Sequence, residues 1–261
     1  MAATPPNSAY TPAEAAIPAA PDPQEAAVST SLAEITKLTD SAERAKRAAD
    51  LVHKHTPEQQ RRLHARDAHI YALVDLGDEY GTGTAIARAL GANRNAYVRI
   101  LNRREKAEAS GWLPKVDLPQ RSSAADRKVA RETLLRRIEV LHKQMVGFDE
   151  KIEEARDVRD SALAELFDPT HPQYEPSNDK LAALIGVDPQ HVYYMRRKDK
   201  VVRALRAFHG ATGQPLTPDS YEAWRQSLED IGDTPPWSIV QVAFRGPERA
   251  AEAARVPYVR G

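Results

Sequence analysis

One pattern occurs twice in this chain, 95 residues apart, and it limits the folds open to the rest. Ala85 to Arg103 reads AIARALGANRNAYVRILNR, and Lys180 to Lys198 reads KLAALIGVDPQHVYYMRRK. Each copy holds an apolar residue paired with alanine (Ile86-Ala87, Leu181-Ala182), an apolar residue before a glycine (Leu90-Gly91, Ile185-Gly186), and a polar residue two positions on (Asn93, Asp188). Glycine accepts the left-handed backbone that ends a helix, and Asn or Asp caps the free amides that begin the next. The pattern predicts two short helices joined by a tight turn, a helix-turn-helix, whose second helix is of a kind that enters a DNA major groove. Two copies make double-stranded DNA the expected partner.

Charge bears on that expectation through its distribution. Lys+Arg and Asp+Glu both total 37, which is evidence against a nonspecific polycationic coat. Residues 91–110, however, hold five basic residues against two acidic, and residues 189–206 hold six against one. Residues 1–31 hold three acids, no Lys or Arg, and six of the nineteen prolines. Such a stretch predicts a disordered acidic tail. The chain has no cysteine, which excludes disulfides and thiolate metal sites. No apolar run approaches the roughly 20 residues of a membrane helix, and no signal peptide is visible. The expectation is a cytoplasmic protein with no membrane contact.

Further along, helical spacing begins near Leu32, with Asp40 and Glu43 as a capping arrangement and Ala42, Ala45, Ala49 and Val52 on one face. Thr56-Pro57 reads as a restart, running to Gly77, and Gly81, Gly83 and Thr84 as a break. GWLPKVDLPQRSS, from Gly111 to Ser123, reads as a linker. From Arg131 a long helix follows. Its apolar positions Leu134, Ile138, Leu141, Met145, Phe148, Ile152, Ala155, Ala162 and Leu166 alternate by four and three, broken only at Arg159. Two readings stay open: an intermolecular coiled coil forming a homodimer through residues 131–167, or a long helix laying one face on its own domain. The two repeats share a layout: a long charged helix, a helix starting near Arg66-Asp67 or Arg159-Asp160, a loop, and the helix pair. Nothing reads as a strand. The fold expected is all-α. Its parts are a tail (1–31), a first helix-turn-helix domain (32–108), a linker (109–126), a long helix with a second helix-turn-helix domain (127–200), and a small helical C-terminal domain (201–261).

In the first unit Ala92 should face the core and Asn93 should cap, placing Arg94 and Asn95 in the first exposed turn. Tyr97 and Leu101 fall inward, leaving Val98, Arg99 and Asn102 outward. Arg suits guanine and Asn suits adenine in the major groove. Arg103, Arg104 and Lys106 extend the helix and suit phosphates. In the second unit Asp188 caps, Pro189 opens the helix and Val192 packs inward. Gln190, His191, Tyr193 and Tyr194 remain outward, followed by Arg196, Arg197 and Lys198. Arg196 stands where the first unit has Leu101. Each set also reads as an ordinary solvated helix face. The eight histidines show no HExxH spacing, and Gly81-Thr82-Gly83 follows no strand, so neither an enzyme nor a metal or cofactor is expected.

From Leu32 to Lys106 the chain resembles the sigma-factor region-four type of helix-turn-helix protein common in actinobacteria and their phages. The stretches that carry the likeness are LAEITKLTDSAERAKRAADLV and IARALGANRNAYVRIL, with Ala92 and Asn93 where that pattern has Val and Ser or Thr. The resemblance implies that Arg94, Asn95 and Arg99 reach bases or phosphates, and that the chain is a transcriptional regulator or a phage-type repressor. Residues 203–257, with PLTPDSYEAWRQ, DTPPWSIVQVAF and ERAAEAARV, weakly resemble the homing-endonuclease-associated repeat. Arg245 and Pro247 depart from that family's Gly and Trp. No nuclease residues are implied, and Trp224 and Trp237 read as core. The alternative function, from another class, is a structural protein using its helix pairs for protein docking.

Overall fold

In the computed structural model, which describes residues 22–77, 82–111, 113–117, 123–232 and 234–259, every regular element of those residues is a helix. In order these are α1 (Pro23–Ile35), α2 (Ser41–Asp75), α3 (Thr82–Ala89), α4 (Arg94–Leu101), α5 (Arg104–Ala109) and α6 (Ala124–Phe167). There follow α7 (Asn178–Ile185), α8 (Pro189–Thr212), α9 (Pro218–Gln226), α10 (Trp237–Phe244) and α11 (Pro247–Ala254). The class is all-α; an isolated bridge joins Leu216 and Tyr258. No helix among the described residues is long and apolar enough to cross a membrane.

Several element boundaries differ from those the sequence suggests. The disordered tail expected over 1–31 lies, for residues 1–21, outside the described residues. From Asp22 onward it is corrected: the Asp22 carboxylate accepts from the Gln24 amide (2.9 Å) at the start of α1. Val28, Leu32 and Ile35, spaced as one helical face, are buried. Their spacing was hidden by the Ala, Ser and Thr around them. The restart at Thr56-Pro57 is also corrected, because α2 runs through Pro57 without a break. The Thr56 hydroxyl does not cap forward; it donates back to the Val52 carbonyl at 2.8 Å. Likewise Arg66-Asp67 and Arg159-Asp160 start no helix. Both lie inside one, each Arg Nε donating to the neighbouring Asp Oδ1 at 2.9 and 2.8 Å. α6 begins before Arg131, at Ala124, where Ser123 and Asp126 cap reciprocally: Ser123 N donates to Asp126 Oδ2 (2.9 Å) and Asp126 N to Ser123 Oγ (3.2 Å).

Contacts group the chain into two units, each drawn from two stretches: Met1–Ala27 with Pro57–Glu150, and Val28–Thr56 with Lys151–Gly261. This division differs from domains laid end to end. α1, α2 and α6 each contribute to both units, and residue 200 lies inside α8. In the first unit, the later part of α2 and the earlier part of α6 run antiparallel. Gln59 Nε2 donates to Asp149 Oδ1 (2.8 Å) and Arg66 Nη1 approaches Met145 Sδ (3.4 Å). Ile70 and Leu73 share a core with Leu134 and Ile138, and Ile86, Leu90 and Ile100 from α3 and α4 close it. Leu113 and Val116, expected in a linker, pack on that core.

In the second unit Ala45 and Ala49 of α2, Ala162, Leu163 and Leu166 of α6, Leu181 and Ile185 of α7, and Val192 of α8 form one core. A second core joins Val201, Leu205 and Phe208 of α8 to Tyr221, Val240 and Ala250 of the C-terminal helices. Trp224 and Trp237 border it with their rings 5.6 and 5.8 Å from that of Tyr221.

The heptad seam of α6 is a buried stripe, but this chain itself covers it. Leu134, Ile138, Met145 and Phe148 are buried in the first unit, and Ile152, Ala155, Ala162 and Leu166 in the second. Leu141 is half-buried, and the other seam side chains are already withdrawn from water within one chain. The buried stripe fits the second reading, a helix laying one face on its own chain, and lends no support to a homodimer through residues 131–167.

Candidate functional site

The two repeats fold alike at their turns. In the first, Gly91 takes a φ of +55° and the Ala92 amide donates to the Ala87 carbonyl at 2.9 Å. In the second, Gly186 takes a φ of +68° and the Val187 amide donates to the Ala182 carbonyl at 3.0 Å. These are the same hydrogen bond, 95 residues apart, in a left-handed backbone that favours glycine. Asn93 then caps α4 by accepting from the Ala96 amide (3.2 Å), and Asp188 caps α8 by accepting from the Gln190 amide (2.7 Å). Ser177 caps α7, accepting from the Lys180 amide at 3.3 Å. Ile86 and Ala87, and Leu181 and Ala182, are buried on the first helix of each pair.

Gly83 does not break the chain. It lies in the first turn of α3, where an added Cβ would stand 2.9 Å from Cε1 of Tyr97, so α3 and α4 meet closely there. Ala92 is exposed, against expectation, and Ile100 fills the core instead.

On α4 the residues read as outward are outward. Asn95, Val98, Arg99 and Asn102 are exposed, Val98 at 42%, and Tyr97 lies half-buried against the core. Arg94 opens the helix; its side chain lies outside the described residues. Arg103 is exposed, its Nη2 3.8 Å from the buried Asp67 carboxylate. The helix does not extend through Arg103 and Arg104: α4 ends at Leu101 and a turn separates it from α5.

Arg104, read as suiting a phosphate, is engaged by two carboxylates. Its Nη1 and Nη2 donate to both Asp75 oxygens at 2.7 and 2.8 Å, and its Nε to Glu108 at 2.6 Å. The Asp75 bonds, then those to Glu108, hold the guanidinium well above its ordinary pKa. Its plane also lies over the Tyr71 ring, 5.3 Å from the centroid. Two carboxylates already neutralise this cation, and a phosphate would have to displace them.

On α8, Gln190, His191, Tyr193 and Tyr194 are exposed, the two tyrosines at 51% and 49%. Their rings meet edge to face at 5.7 Å, and Gln190 Nε2 donates to Tyr194 Oη at 3.2 Å. Arg196, the first of the basic residues that follow, is held within the fold. Its Nη2 donates to the Glu175 carbonyl (2.7 Å) and its Nε to Asn178 Oδ1 (3.0 Å), while the guanidinium lies 4.7 Å above the Phe167 ring. It plugs the inner face where the first unit uses Leu101. Lys198 is exposed with its ammonium over the Phe244 ring, and Arg197 lines a cleft beside the C-terminal helices. No signal at Arg197 itself marks the cleft, because its other wall comes from residues 225–239. Among the described residues no group of three or more His, Asp or Glu is placed to hold a metal.

No protein-family model, curated protein or solved structure matches this chain.

Proposed function

We propose that the chain binds double-stranded DNA sequence-specifically, as a transcriptional regulator or phage-type repressor, with α4 and α8 as its reading helices. The observation that supports this is the pairing of like turns with capped helices that expose hydrogen-bonding side chains along one face. α4 offers Asn95, Arg99 and Asn102, and α8 offers Gln190, His191 and the tyrosines. Asn and Gln present paired donor and acceptor atoms to adenine, Arg to guanine, and tyrosine suits a thymine methyl or a phosphate. Arg103 and Lys198, outside the reading turns, suit phosphates. Two such helices on one chain gain avidity from effective concentration, which suits a protein with no net charge.

The experiment is selection of bound duplexes from random DNA by the full chain, followed by sequencing. The expected result is an enriched motif, on which Asn95→Ala loses about 1–3 kcal/mol and relaxes one position. A second reading, protein docking, is favoured by the exposed Tyr193–Tyr194 pair, since aromatic side chains are enriched at interface cores. No enrichment of any duplex sequence rejects DNA reading in favour of docking.

A further inference from the structure

α8, α9 and the stretch leading into α10 enclose an open cleft of about 380 Å³. Its cationic side comes from Arg197 and Lys200, one turn apart on α8, and from Arg225 of α9. Its apolar side comes from Ile231, Pro235 and Ile239, and no acidic side chain is among the described residues lining it.

Hydrogen bonds hold the far wall in place. Arg225 Nε donates to the Thr234 carbonyl (2.9 Å), Tyr221 Oη to the Pro235 carbonyl (2.7 Å), and the Trp237 amide to Glu222 Oε1 (2.5 Å). Arg225 Nη1 also donates to Glu222 Oε2 (3.2 Å), so this arginine is committed to the wall. Arg197 differs: it is half-buried, yet it makes no hydrogen bond or ion pair with a described residue. With no partner among the described residues, its planar donor fork is open to an anion.

We propose that this cleft binds a small amphipathic organic anion, a phosphate or carboxylate carried on a flat apolar body. The planar fork of Arg197 matches two oxygens of such a group. Ile231, Pro235 and Ile239 would cover the body, which a bare inorganic ion leaves unsatisfied. The volume lies within the range of small-molecule pockets, about 300–1,000 Å³. The site stands apart from the exposed α8 face and does not depend on DNA reading.

Calorimetric titration of the full chain with phenyl phosphate, without DNA and at low ionic strength, tests it. The expected result is saturation at one site, at least about tenfold tighter than inorganic phosphate, because only the aryl ester uses the apolar wall. Arg197→Ala should weaken it by about tenfold or more, the worth of a charged hydrogen bond. Lys200→Gln gives a second, milder cation loss, and Tyr193→Ala, outside the cleft, should bind as wild type does. The proposal is overturned if phenyl phosphate fails to saturate, if it binds no tighter than inorganic phosphate, or if both cation variants bind like wild type.

Discussion

Arg104 and Arg196 sit in the basic runs that follow the repeated turns, yet each is spent on the fold. Arg196 is held by a backbone carbonyl, an Asn side chain and an aromatic face. Its burial lowers the guanidinium pKa, against the pull of Tyr174, Asp199 and Glu175, without discharging it. Arg196→Ala should therefore destabilise the chain by about 1–3 kcal/mol, because the Glu175 carbonyl and Asn178 lose a charged donor. Urea unfolding measures this, and an unchanged midpoint would return Arg196 to the solvated surface.

His142 makes a different residue-scale case. Burial first, then the Arg66 charge, lowers its pKa below the ordinary 6.5; a bond to the Leu90 backbone and the Asp149 charge oppose them. Its Nδ1 is buried without a partner among the described residues. His69 is lowered as well, by burial and by Arg137, against a bond to the Ala65 carbonyl. Above pH 6.5 folded and unfolded rings are both neutral and nothing is lost. As pH falls below 6.5 the unfolded ring takes up its proton first, so stability declines until the folded pKa is passed. The urea midpoint should drop between about pH 7 and pH 5, and His142→Gln should flatten part of that drop. An identical pH profile for the variant removes His142 from this account.

At the scale of elements, α2 shows how far tertiary burial overrides local preference. Pro57 removes the amide that would bond the His53 carbonyl, and an interior proline costs a helix about 3 kcal/mol. The helix persists because Ala45, Ala49 and Val52 are buried before the proline and Ala68, Ile70 and Leu73 after it. Pro57→Ala restores the bond and removes the ring, so it should raise stability, by up to about 3 kcal/mol. Urea unfolding of the two chains reads this directly. A loss of stability would show that the proline relieves strain in this helix.

For the molecule as a whole, the DNA reading makes a charge-based forecast. Every phosphate neutralised releases condensed counterions, so the logarithm of affinity falls with that of salt by about 0.9 per contact. Arg99 and Arg103 are exposed basic residues on and just after α4. Replacing both with Ala should flatten the slope by roughly two units on a specific duplex. Salt titrations of wild type and double variant decide it. An equal slope would mean that neither residue meets a phosphate.

The repeated turns were legible in the chain because everything that makes them is local. Gly91 and Gly186 need positive φ, Asn93 and Asp188 reach amides two or three residues on, and Val192 lies one helical turn into its helix. Exposure of Asn95, Arg99, Gln190 and Tyr194 followed from the same 3.6-residue period. The all-α class followed too. Other features depend on what lies across space. A heptad stripe reads the same whether a second copy or α2 covers it, and only the packed chain shows Phe148 and Ile152 buried within one molecule. Arg44 and Ser41 meet Glu165 across more than 120 residues, and no local pattern names that partner. Arg104 and Arg196 look like their exposed neighbours because commitment depends on Asp75, Glu108, Glu175 and Asn178, brought together only on folding. Sequence alone determined where the helices turn and which faces they expose; tertiary structure decided which cations remain available, because a charge's partner is set by distance in space.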